Sequence, residues 1–371
     1  MNEMSFKLLK KSKKTKARSG ILKTGHGEIS TPFFMPIATR GAVKSLLPDD
    51  IKNLGGQIIL SNTYHLWQRP GLSVLKKAKG LHNYMNWDGP ILTDSGGYQV
   101  FSLSKRRKLT KKGVEFNSEL DGQRYFLTPQ KALEIQMTIG SDIMMSFDEC
   151  PPYPSTRKYA SDSLELTSRW AKQGKDYFKK KKNPNNKQKL FGIVQGSSFK
   201  DLRIQSAKEL VAMNFDGYAV GGLAVGEPVD IMYKILDYTV PVLPENKPRY
   251  LMGVGKPEQI VESVKRGVDM FDCVIPTRHA RHGLLYAWSG DKIRGNFYKE
   301  IRIKQSKFLS DMKPIDKYCD CYTCKNFSLS YIRHLFMTSD PLSYRLATIH
   351  NLNFYLTLMR KIRKAIGNGK L

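Results

Sequence analysis

The chain has 371 residues, of which 40% are hydrophobic and 11% aromatic, so a sizeable core can form in one large domain or two smaller ones. No segment approaches the roughly 20 consecutive apolar residues that a membrane-spanning helix needs. The basic N-terminal stretch lacks the apolar region and the cleavage site of a secretory signal. These features argue against a membrane or secreted protein, and we expect a cytoplasmic one with no membrane partner.

Basic residues are in large excess: 61 Lys and Arg stand against 33 Asp and Glu, which gives a formal net charge of +28. Such a charge favours polyanionic partners, because Lys and Arg that neutralise phosphates release condensed counterions. A lysine-rich solvated surface would give the same total, and the runs at 10–14 and 179–182 fit that interpretation. The charge therefore suggests a nucleic acid partner without establishing one.

Eight short apolar runs recur along the chain, and each ends in a polar residue or a glycine. They cover residues 33–39, 57–63, 90–96, 142–149, 190–196, 217–222, 249–255 and 270–278. Continuous apolar runs of this length are typical of strands that are buried on both faces. Helix-like stretches lie between many of them, at 128–140, 161–178, 199–213, 230–240 and 256–268. The alternation predicts an α/β fold, a closed parallel (β/α)8 TIM barrel.

Two connections are too long for a simple strand–helix unit. The first, residues 101–127, contains Asp121-Gly122, a turn signal between strand-like flanks that predicts an inserted β-hairpin. The second follows the eighth run and leads to an amphipathic helix with a basic last turn, predicted at 350–366. We therefore divide the chain into two parts. Residues 1–278, including the insertion, form a catalytic barrel. Residues 279–371 form a metal-binding subdomain and C-terminal helices, which pack on the barrel.

The C-terminal part carries three of the five cysteines, Cys319, Cys321 and Cys324, within one short turn. Thiols this close together in a cytosolic chain indicate a metal rather than disulfides. The spacing leaves the fourth ligand open, because His334 and His350 both lie downstream. With four protein ligands such a site has no open position for water, so we predict a structural zinc ion.

The active site of a barrel of this kind lies at the carboxyl ends of its strands. The residues that we expect to converge there are Ser61, Asn62, Asp94, Ser95, Asp148, Glu149, Gln195, Gly221, Gly222, Met252, Gly253 and Asp272. Three aspartates and a glutamine on one rim indicate a site in which carboxylates act on a polar substrate.

The strand ends lie in stretches that resemble bacterial-type tRNA-guanine transglycosylases over nearly the whole chain. These stretches are TPFFMPIATRGAVKSL, LSNTYHLWQRPG, LTDSGGYQVFSL, SFDECPPYP, GIVQGS, AVGGLAVGE, YLMGVG, FDCVIPTR and the CDCYTC cluster with a later histidine. The resemblance implies exchange of guanine at the wobble position of GUN tRNAs for 7-aminomethyl-7-deazaguanine, a queuosine precursor. Base exchange needs neither redox chemistry nor energy input, so no nucleotide cofactor is implied.

The same resemblance assigns roles to individual residues. Asp272 would be the nucleophile at ribose C1′, and Asp94 the general acid/base; two successive displacements then retain the stereochemistry. Asp148 would accept from the donor edge of guanine. The remaining assignments are Gln195 and the Gly222 N–H on O6, the Leu223 carbonyl on the aminomethyl group, Tyr98 and Met252 on the two faces of the base, and Ser95 and Cys150 in the pocket.

For the metal site, the resemblance selects His350 as the fourth ligand. It places Arg278 and Arg281 on the anticodon loop of tRNA, although histidines occupy 279 and 282 where asparagine is more usual. The basic stretch 105–112 could touch tRNA or simply be solvated. Members of the family are homodimers, so a homodimer is the expected assembly.

Other functions remain to be compared. A zinc nucleobase deaminase would need an H-x-E motif with PC-x-x-C around an open metal. H-x-E occurs at 26–28, but tyrosine rather than proline precedes the cysteine cluster, and about 290 residues separate the two. A glycoside hydrolase also needs two carboxylates, but the guanine-shaped polar set argues against a sugar. An inactive RNA-binding paralogue would not need both Asp94 and Asp272. Val225 resembles the bacterial form rather than relatives that salvage queuine, which tend to have glycine there, and the chain leaves no room for the added domains of the archaeal branch.

Overall fold

The computed structural model describes residues 5–103, 107–181, 187–290 and 292–371. The strands are β1 (Phe6–Lys11), β2 (Arg18–Thr24), β3 (Gly27–Thr31), β4 (Phe33–Met35), β5 (Ile59–Ser61), β6 (Ile91–Thr93), β7 (Arg107–Thr110), β8 (Gly113–Asn117), β9 (Arg124–Leu127), β10 (Ile143–Met145), β11 (Lys189–Val194), β12 (Gly217–Val220), β13 (Arg249–Leu251), β14 (Met270–Asp272), β15 (Leu284–Trp288) and β16 (Tyr298–Arg302).

The α-helices are α1 (Pro48–Asn53), α2 (Thr63–Leu66), α3 (Leu72–Lys77), α4 (Leu81–Met85), α5 (Gly97–Leu103), α6 (Pro129–Ile139), α7 (Arg157–Lys181), α8 (Lys200–Met213), α9 (Val229–Thr239), α10 (Pro257–Lys265), α11 (Ile275–Arg281), α12 (Tyr322–Asn326), α13 (Leu329–Met337) and α14 (Leu342–Gly367). A π-helical turn covers Trp67–Gly71, and 3-10 turns cover Val240–Val242 and Ser306–Phe308. No helix within the described ranges has the length and hydropathy to cross a bilayer.

Eight parallel strands form the central sheet, in the order β4-β14-β13-β12-β11-β10-β6-β5. A parallel bridge between Ile37 and Leu60 joins the two ends, with the Ala38 N–H 2.6 Å from the Leu60 carbonyl oxygen. The predicted (β/α)8 barrel is therefore confirmed, and every predicted apolar run supplies one strand. The strands are shorter than the runs, because the ends of the runs leave the sheet and build the rim.

Alternate side chains of the strands point into the barrel and fill it. This interior cluster consists of Phe33, Met35, Ile37, Ile58, Leu60, Leu92, Ile143, Met145, Phe191, Ile193, Ala219, Tyr250 and Met270, together with Phe6, Leu22 and Ile29 from the sheet β1-β2-β3. The intervening residues, such as Phe34, Met144 and Phe271, pack outward against the helices. The barrel interior is therefore a packed core rather than a channel.

The antiparallel sheet β1-β2-β3 was not predicted. It packs against the interior cluster, and buried Arg18 pairs with buried Asp269, with Nε 2.9 Å from Oδ1. Most of β1 is lysine and leucine at exposed or half-buried positions, so its alternation is hidden in the sequence. The basic N-terminal stretch thus contains β1, whose sheet packs against one end of the barrel interior.

The insertion contains the predicted hairpin. β8 and β9 pair antiparallel across a turn in which Gly122 has φ +68°, a conformation that favours glycine. β7 adds a third strand on the other side of β8. Residues 105 and 106 of the basic stretch lie outside the described residues.

The C-terminal part is held to the barrel by α14, which begins at Leu342, earlier than predicted. α14 packs against α11 and against strands β4 and β2. The buried Asn351 amide donates to the carbonyls of Pro276 and Leu284 at 3.1 and 2.9 Å, and its oxygen accepts from the Tyr286 N–H. The division of the chain at residue 278 stays a prediction, since α11 spans that boundary.

Candidate active site and metal centre

A cavity of about 470 Å³ opens at the carboxyl ends of the barrel strands. It is lined by all ten residues that the sequence analysis assigns to catalysis or base binding: Asp94, Ser95, Tyr98, Asp148, Cys150, Gln195, Gly222, Leu223, Met252 and Asp272. Ser61 and Glu149, which were expected on the same rim, are not among its lining residues. The geometry therefore gathers the predicted set into one place, while the role of each residue remains a proposal.

The convergence follows from the pleat of the strands. Successive side chains alternate between the two faces, so the residue two positions after an interior residue also points inward. Asp94 follows interior Leu92, and Asp272 follows interior Met270. Gln195 stands in the same relation to Ile193. Each polar residue lies just beyond the packed interior, at the floor of the cavity.

Asp272 ends β14 and is held by two donors on the neighbouring strand and its loop. The Tyr250 hydroxyl lies 2.5 Å from Oδ1, and the Gly253 N–H donates to the same oxygen at 2.8 Å. Burial raises the pKa of Asp272, and these two hydrogen bonds oppose the rise. The side chain is thus fixed in orientation, and its ionised form is supported by hydrogen bonds.

Asp94 follows β6 and is held from the opposite side of the cavity. Its Oδ1 accepts from the Thr63 N–H at 2.9 Å, and its Oδ2 accepts from the Asn62 side-chain amide. Burial raises the pKa of Asp94 to about 7, and the charges of Asp272 and Asp148 add to the rise. A carboxyl group with a pKa near neutrality can both give and take a proton at physiological pH.

Asp148 and Gln195 form a hydrogen-bonded pair. Gln195 Nε2 donates to Asp148 Oδ2 at 2.8 Å, and the Ser95 hydroxyl donates to Oδ1 at 2.9 Å. Burial raises the pKa of Asp148 to about 6. Gln195 Oε1 is buried and has no partner among the described residues, and a side-chain amide nitrogen carries two hydrogens. The pair therefore retains hydrogen-bonding capacity for a ligand.

Gly222 lies where only glycine fits. Its φ of +62° favours glycine, and a Cβ there would be 2.5 Å from Gln195 Oε1. On the other side of Leu223, the N–H groups of Ala224 and Val225 donate to the Glu227 carboxylate at 2.5 and 3.0 Å. The loop after β12 thus places bare backbone at the cavity wall.

Cys150 faces the cavity, whereas its neighbour Glu149 does not. The Cys150 thiol lines the cavity, and burial, with the charges of Asp148 and Glu149, raises its pKa to about 12, so it is neutral. Glu149 turns away and is held by α7, where its carboxylate accepts from the hydroxyls of Tyr159, at 2.8 Å, and Ser163. Glu149 thus anchors the start of α7 instead of facing the cavity.

Arg278 and Arg281 lie on α11, immediately after the strand that carries Asp272. Arg278 is exposed, and Arg281 is half-buried with Nη1 donating to the Thr277 carbonyl at 2.8 Å. Neither lines the cavity. His279 Nδ1 lies 2.6 Å from the Tyr286 hydroxyl, so this histidine is engaged within the protein, whereas His282 is exposed.

The metal centre is formed by Cys319, Cys321, Cys324 and His350, whose ligand atoms all lie within 4.8 Å of one another. His350 Nδ1 is 3.7, 3.7 and 3.2 Å from the three sulfurs in that order. A tetrahedral zinc with Zn–S of about 2.3 Å and Zn–N of about 2.0 Å would separate S and N by about 3.5 Å. The four atoms therefore fit such an ion, and they include His350 rather than His334.

A hydrogen bond on the other side of the His350 ring leaves its Nδ1 free to bind a metal. Its Nε2 lies 2.6 Å from the Tyr286 carbonyl oxygen, which accepts only from a protonated nitrogen. Nδ1 is then the unprotonated, ligating nitrogen of the neutral ring. The Asn353 amide also donates to the Cys319 sulfur at 3.3 Å. The residues present thus suit a structural metal ion of the zinc type.

Sequence reasoning missed the residues that hold the carboxylates in place. Tyr250 and Thr63 were not among the residues expected at the rim, and Gly253 was expected there without a role, yet each donates to Asp272 or Asp94. Tyr250 was detectable in part, because it lies two positions before Met252 on a predicted strand and so on the same face. His65 and Gln99 also line the cavity and were not singled out.

Comparisons with known proteins show the family to which the chain belongs. The family model described as queuine tRNA-ribosyltransferase matches residues 12–371. Over its full length the chain is 54% identical to a queuine tRNA-ribosyltransferase of Caldanaerobacter subterraneus subsp. tengcongensis and covers 96% of that protein. It is 53% identical to the proteins of the same name from Thermoanaerobacter sp. (strain X514) and Listeria innocua serovar 6a, covering 96% and 94% of them.

Proposed function

Because the chain belongs to the queuine tRNA-ribosyltransferase family, we propose that it exchanges guanine at the wobble position of tRNAs with GUN anticodons, those for Asp, Asn, His and Tyr. The incoming base would be 7-aminomethyl-7-deazaguanine. The observation that carries this proposal is the convergence of Asp94, Asp148 and Asp272 in one cavity together with Gln195. We expect the reaction to take place in the cytoplasm, where tRNA is available.

In the first displacement, Asp272 attacks ribose C1′ as the C1′–N9 bond breaks, and an ester joins the carboxylate to the ribose. The leaving guanine takes a proton, for which the Asp94 carboxyl, with its pKa of about 7, is a suitable donor. In the second, ionised Asp94 takes a proton from the incoming base, which attacks C1′ and releases Asp272. Protons balance over the cycle, and the two inversions retain the configuration.

The base would be read through its polar edge. Ionised Asp148 can accept from guanine N1–H and the exocyclic amine, and the Gln195 amide and the Gly222 N–H can donate to O6. The Leu223 carbonyl points away from Glu227, because Glu227 holds the N–H of the same peptide. It can therefore accept from the aminomethyl group. A site built in this way disfavours bases without the matching edge.

The faces of the base would lie between Tyr98 and Met252, which both line the cavity. Val225 lines it too, and its side chain leaves less room than the glycine expected in relatives that use queuine. This supports the aminomethyl base over queuine as substrate. The anticodon loop would contact Arg278 and Arg281, which lie beside the strand that carries Asp272.

The metal would be one zinc ion bound by Cys319, Cys321, Cys324 and His350, with a structural role. The tetrahedral spacing of the four ligand atoms supports this choice. We also propose that the enzyme is a homodimer. Large apolar side chains exposed in the C-terminal part, such as Leu309, Met312 and Tyr322, would be covered by a second copy.

The decisive experiment incubates the protein with a GUN tRNA and radiolabelled guanine, with and without 7-aminomethyl-7-deazaguanine as competitor. We expect label to enter the tRNA and the competitor to prevent it, while queuine competes more weakly. Asp272→Asn, which keeps the shape of the side chain, should abolish both exchange and the covalent protein–RNA adduct seen in denaturing gels. Wild-type protein that binds tRNA without exchanging label would instead favour the inactive paralogue.

A further inference from the structure

Arg203, on α8, is the residue whose burial calls for a reason. It is fully buried, and its guanidinium donates to four backbone carbonyls: Ser197 at 2.7 Å, Val194 at 3.1 Å, Gly221 at 2.7 Å and Gly222 at 3.2 Å. Two of these carbonyls belong to the loop at the cavity wall. The charge therefore lies directly behind the backbone that forms part of the proposed base site.

Among the described residues no carboxylate forms an ion pair with this guanidinium, whose hydrogen bonds all go to carbonyl oxygens. Buried Arg18, in contrast, pairs with Asp269. Burial lowers the pKa of Arg203 to about 10, so it stays cationic at neutral pH. A buried cation satisfied only by carbonyl oxygens costs folding free energy, and an apolar side chain would fill the space at a lower cost.

The orientation of the peptides suggests what the charge does. In a trans peptide the C=O and the following N–H point in opposite directions. Because Arg203 binds the Gly221 and Gly222 carbonyls, the N–H groups of Gly222 and Leu223 must point away from it. Among the described residues neither N–H has a hydrogen-bond partner. Both residues line the cavity.

We infer that Arg203 is a positioning residue that fixes the 221–222 and 222–223 peptides so that the Gly222 and Leu223 N–H groups face the O6 side of the bound purine. This inference rests on the proposed function and deepens it. The guanidinium also polarises both peptides, which strengthens their N–H groups as donors. The effect is largest when negative charge develops on the purine as it leaves C1′.

The test is Arg203→Lys, which keeps the charge but cannot bind the same carbonyls together. Affinities for guanine and for 2-aminopurine, which lacks O6, are measured by calorimetry and by competition in the exchange assay. We expect guanine affinity to fall roughly 3- to 10-fold, the effect of one hydrogen bond, with 2-aminopurine affinity unchanged. Arg249→Lys is the matched control. Arg249 is also buried, but it lies at the amino end of β13, away from the cavity at the carboxyl end.

The outcomes separate the two hypotheses. If wild-type protein does not prefer guanine to 2-aminopurine, the proposed function fails. If it does, and folded Arg203→Lys keeps the same preference, Arg203 has only a structural role. Should the variant not fold, a crystal structure of wild-type protein with guanine decides the question. O6 must lie within about 3.2 Å of the Gly222 nitrogen while Arg203 keeps both carbonyls; a reversed 221–222 peptide would overturn the inference.

Discussion

The hydroxyl of Tyr250 donates a 2.5 Å hydrogen bond to Oδ1 of Asp272, the same oxygen that accepts from Gly253. Within the described residues no donor binds Oδ2, so Oδ2 is the oxygen that the proposed mechanism would use for attack on ribose. Burial, with the charge of Asp272, raises the pKa of Tyr250 well above its ordinary value, so the phenol stays protonated and remains a donor. Tyr250 therefore holds the carboxylate without competing for its proton.

Tyr250→Phe should slow base exchange. A hydrogen bond to a charged group contributes about 1.5 to 3 kcal/mol, so kcat/KM should fall roughly 10- to 100-fold. Loss of a bond that stabilises the ionised form also raises the pKa of Asp272 further, so the acid limb of the pH–rate profile should move to higher pH. The measurement is kcat/KM against pH. Tyr218→Phe, on the outward face of β12, is the control and should match wild type.

Asp148→Asn should make the protein less active but more stable at alkaline pH. A folded pKa of about 6 against an ordinary 3.8 means that the folded state binds the proton more tightly than the unfolded state. Stability from this group is present below about pH 4 and is lost as pH rises through about 6, by at most about 3 kcal/mol. Urea unfolding should show the variant gaining on wild type near pH 8 but not near pH 4.

Asp142 provides the control of opposite sign. Burial would raise its pKa, but hydrogen bonds from His82, the Ile91 N–H and His26 outweigh burial and lower it. Its contribution is present above the unfolded pKa and is lost as pH falls through the folded one. Asp142→Asn should therefore lose stability near pH 8, where Asp148→Asn gains it. Equal shifts in the two variants would contradict the assignment.

Removing His350 should release the metal. We expect purified protein to contain about one zinc per chain, and His350→Ala to lose most of it because four protein ligands complete the structural site. The melting temperature should fall as well, since the site joins α14 to the Cys319–Cys324 turn. His334→Ala is the matched control and should keep both metal and stability. Full zinc content in His350→Ala, measured by mass spectrometry, would refute the ligand set.

Arg278→Ala should weaken tRNA binding without affecting the base. Loss of one phosphate contact predicts a rise in KM for tRNA of roughly 3- to 10-fold and a decrease of about 1 in the salt-dependence slope. The affinity for free guanine should not change, because Arg278 does not line the cavity. Lys180→Ala is the control, since this exposed lysine lies in the last turn of α7, which leads to the amino end of β11 and so away from the rim. If Lys180→Ala weakened tRNA binding as much as Arg278→Ala, the effect would come from net charge rather than from a contact near the active site.

The barrel was predictable because its strands are buried on both faces. An interior strand such as Ile143–Met145 reads as a continuous apolar run, and a rim residue such as Asp94 follows directly after one. The sheet β1-β2-β3 was not predictable in the same way. Its first strand has a single buried position, Phe6, and the lysines that follow conceal it in the sequence.

The sequence predicts which residues converge at the site, but not the residues that hold them in position. The family resemblance predicts roles for Asp272 and Asp148, because both lie in stretches that match the motifs. Arg203 lies in a helix whose sequence gives no sign that its side chain turns inward under another strand's loop. Such contacts depend on tertiary packing between segments distant in sequence. They therefore emerge only when the strands are assembled.

The packed interior, together with the sheet β1-β2-β3, fills the barrel beneath the cavity, which is lined by residues of the rim. In the proposed mechanism the outgoing and incoming bases share this opening and occupy the same pocket in turn. Free guanine would then compete with the deazapurine for the same covalent intermediate. Under this mechanism the ratio of the two free bases would set how each covalent intermediate partitions between restored and modified tRNA.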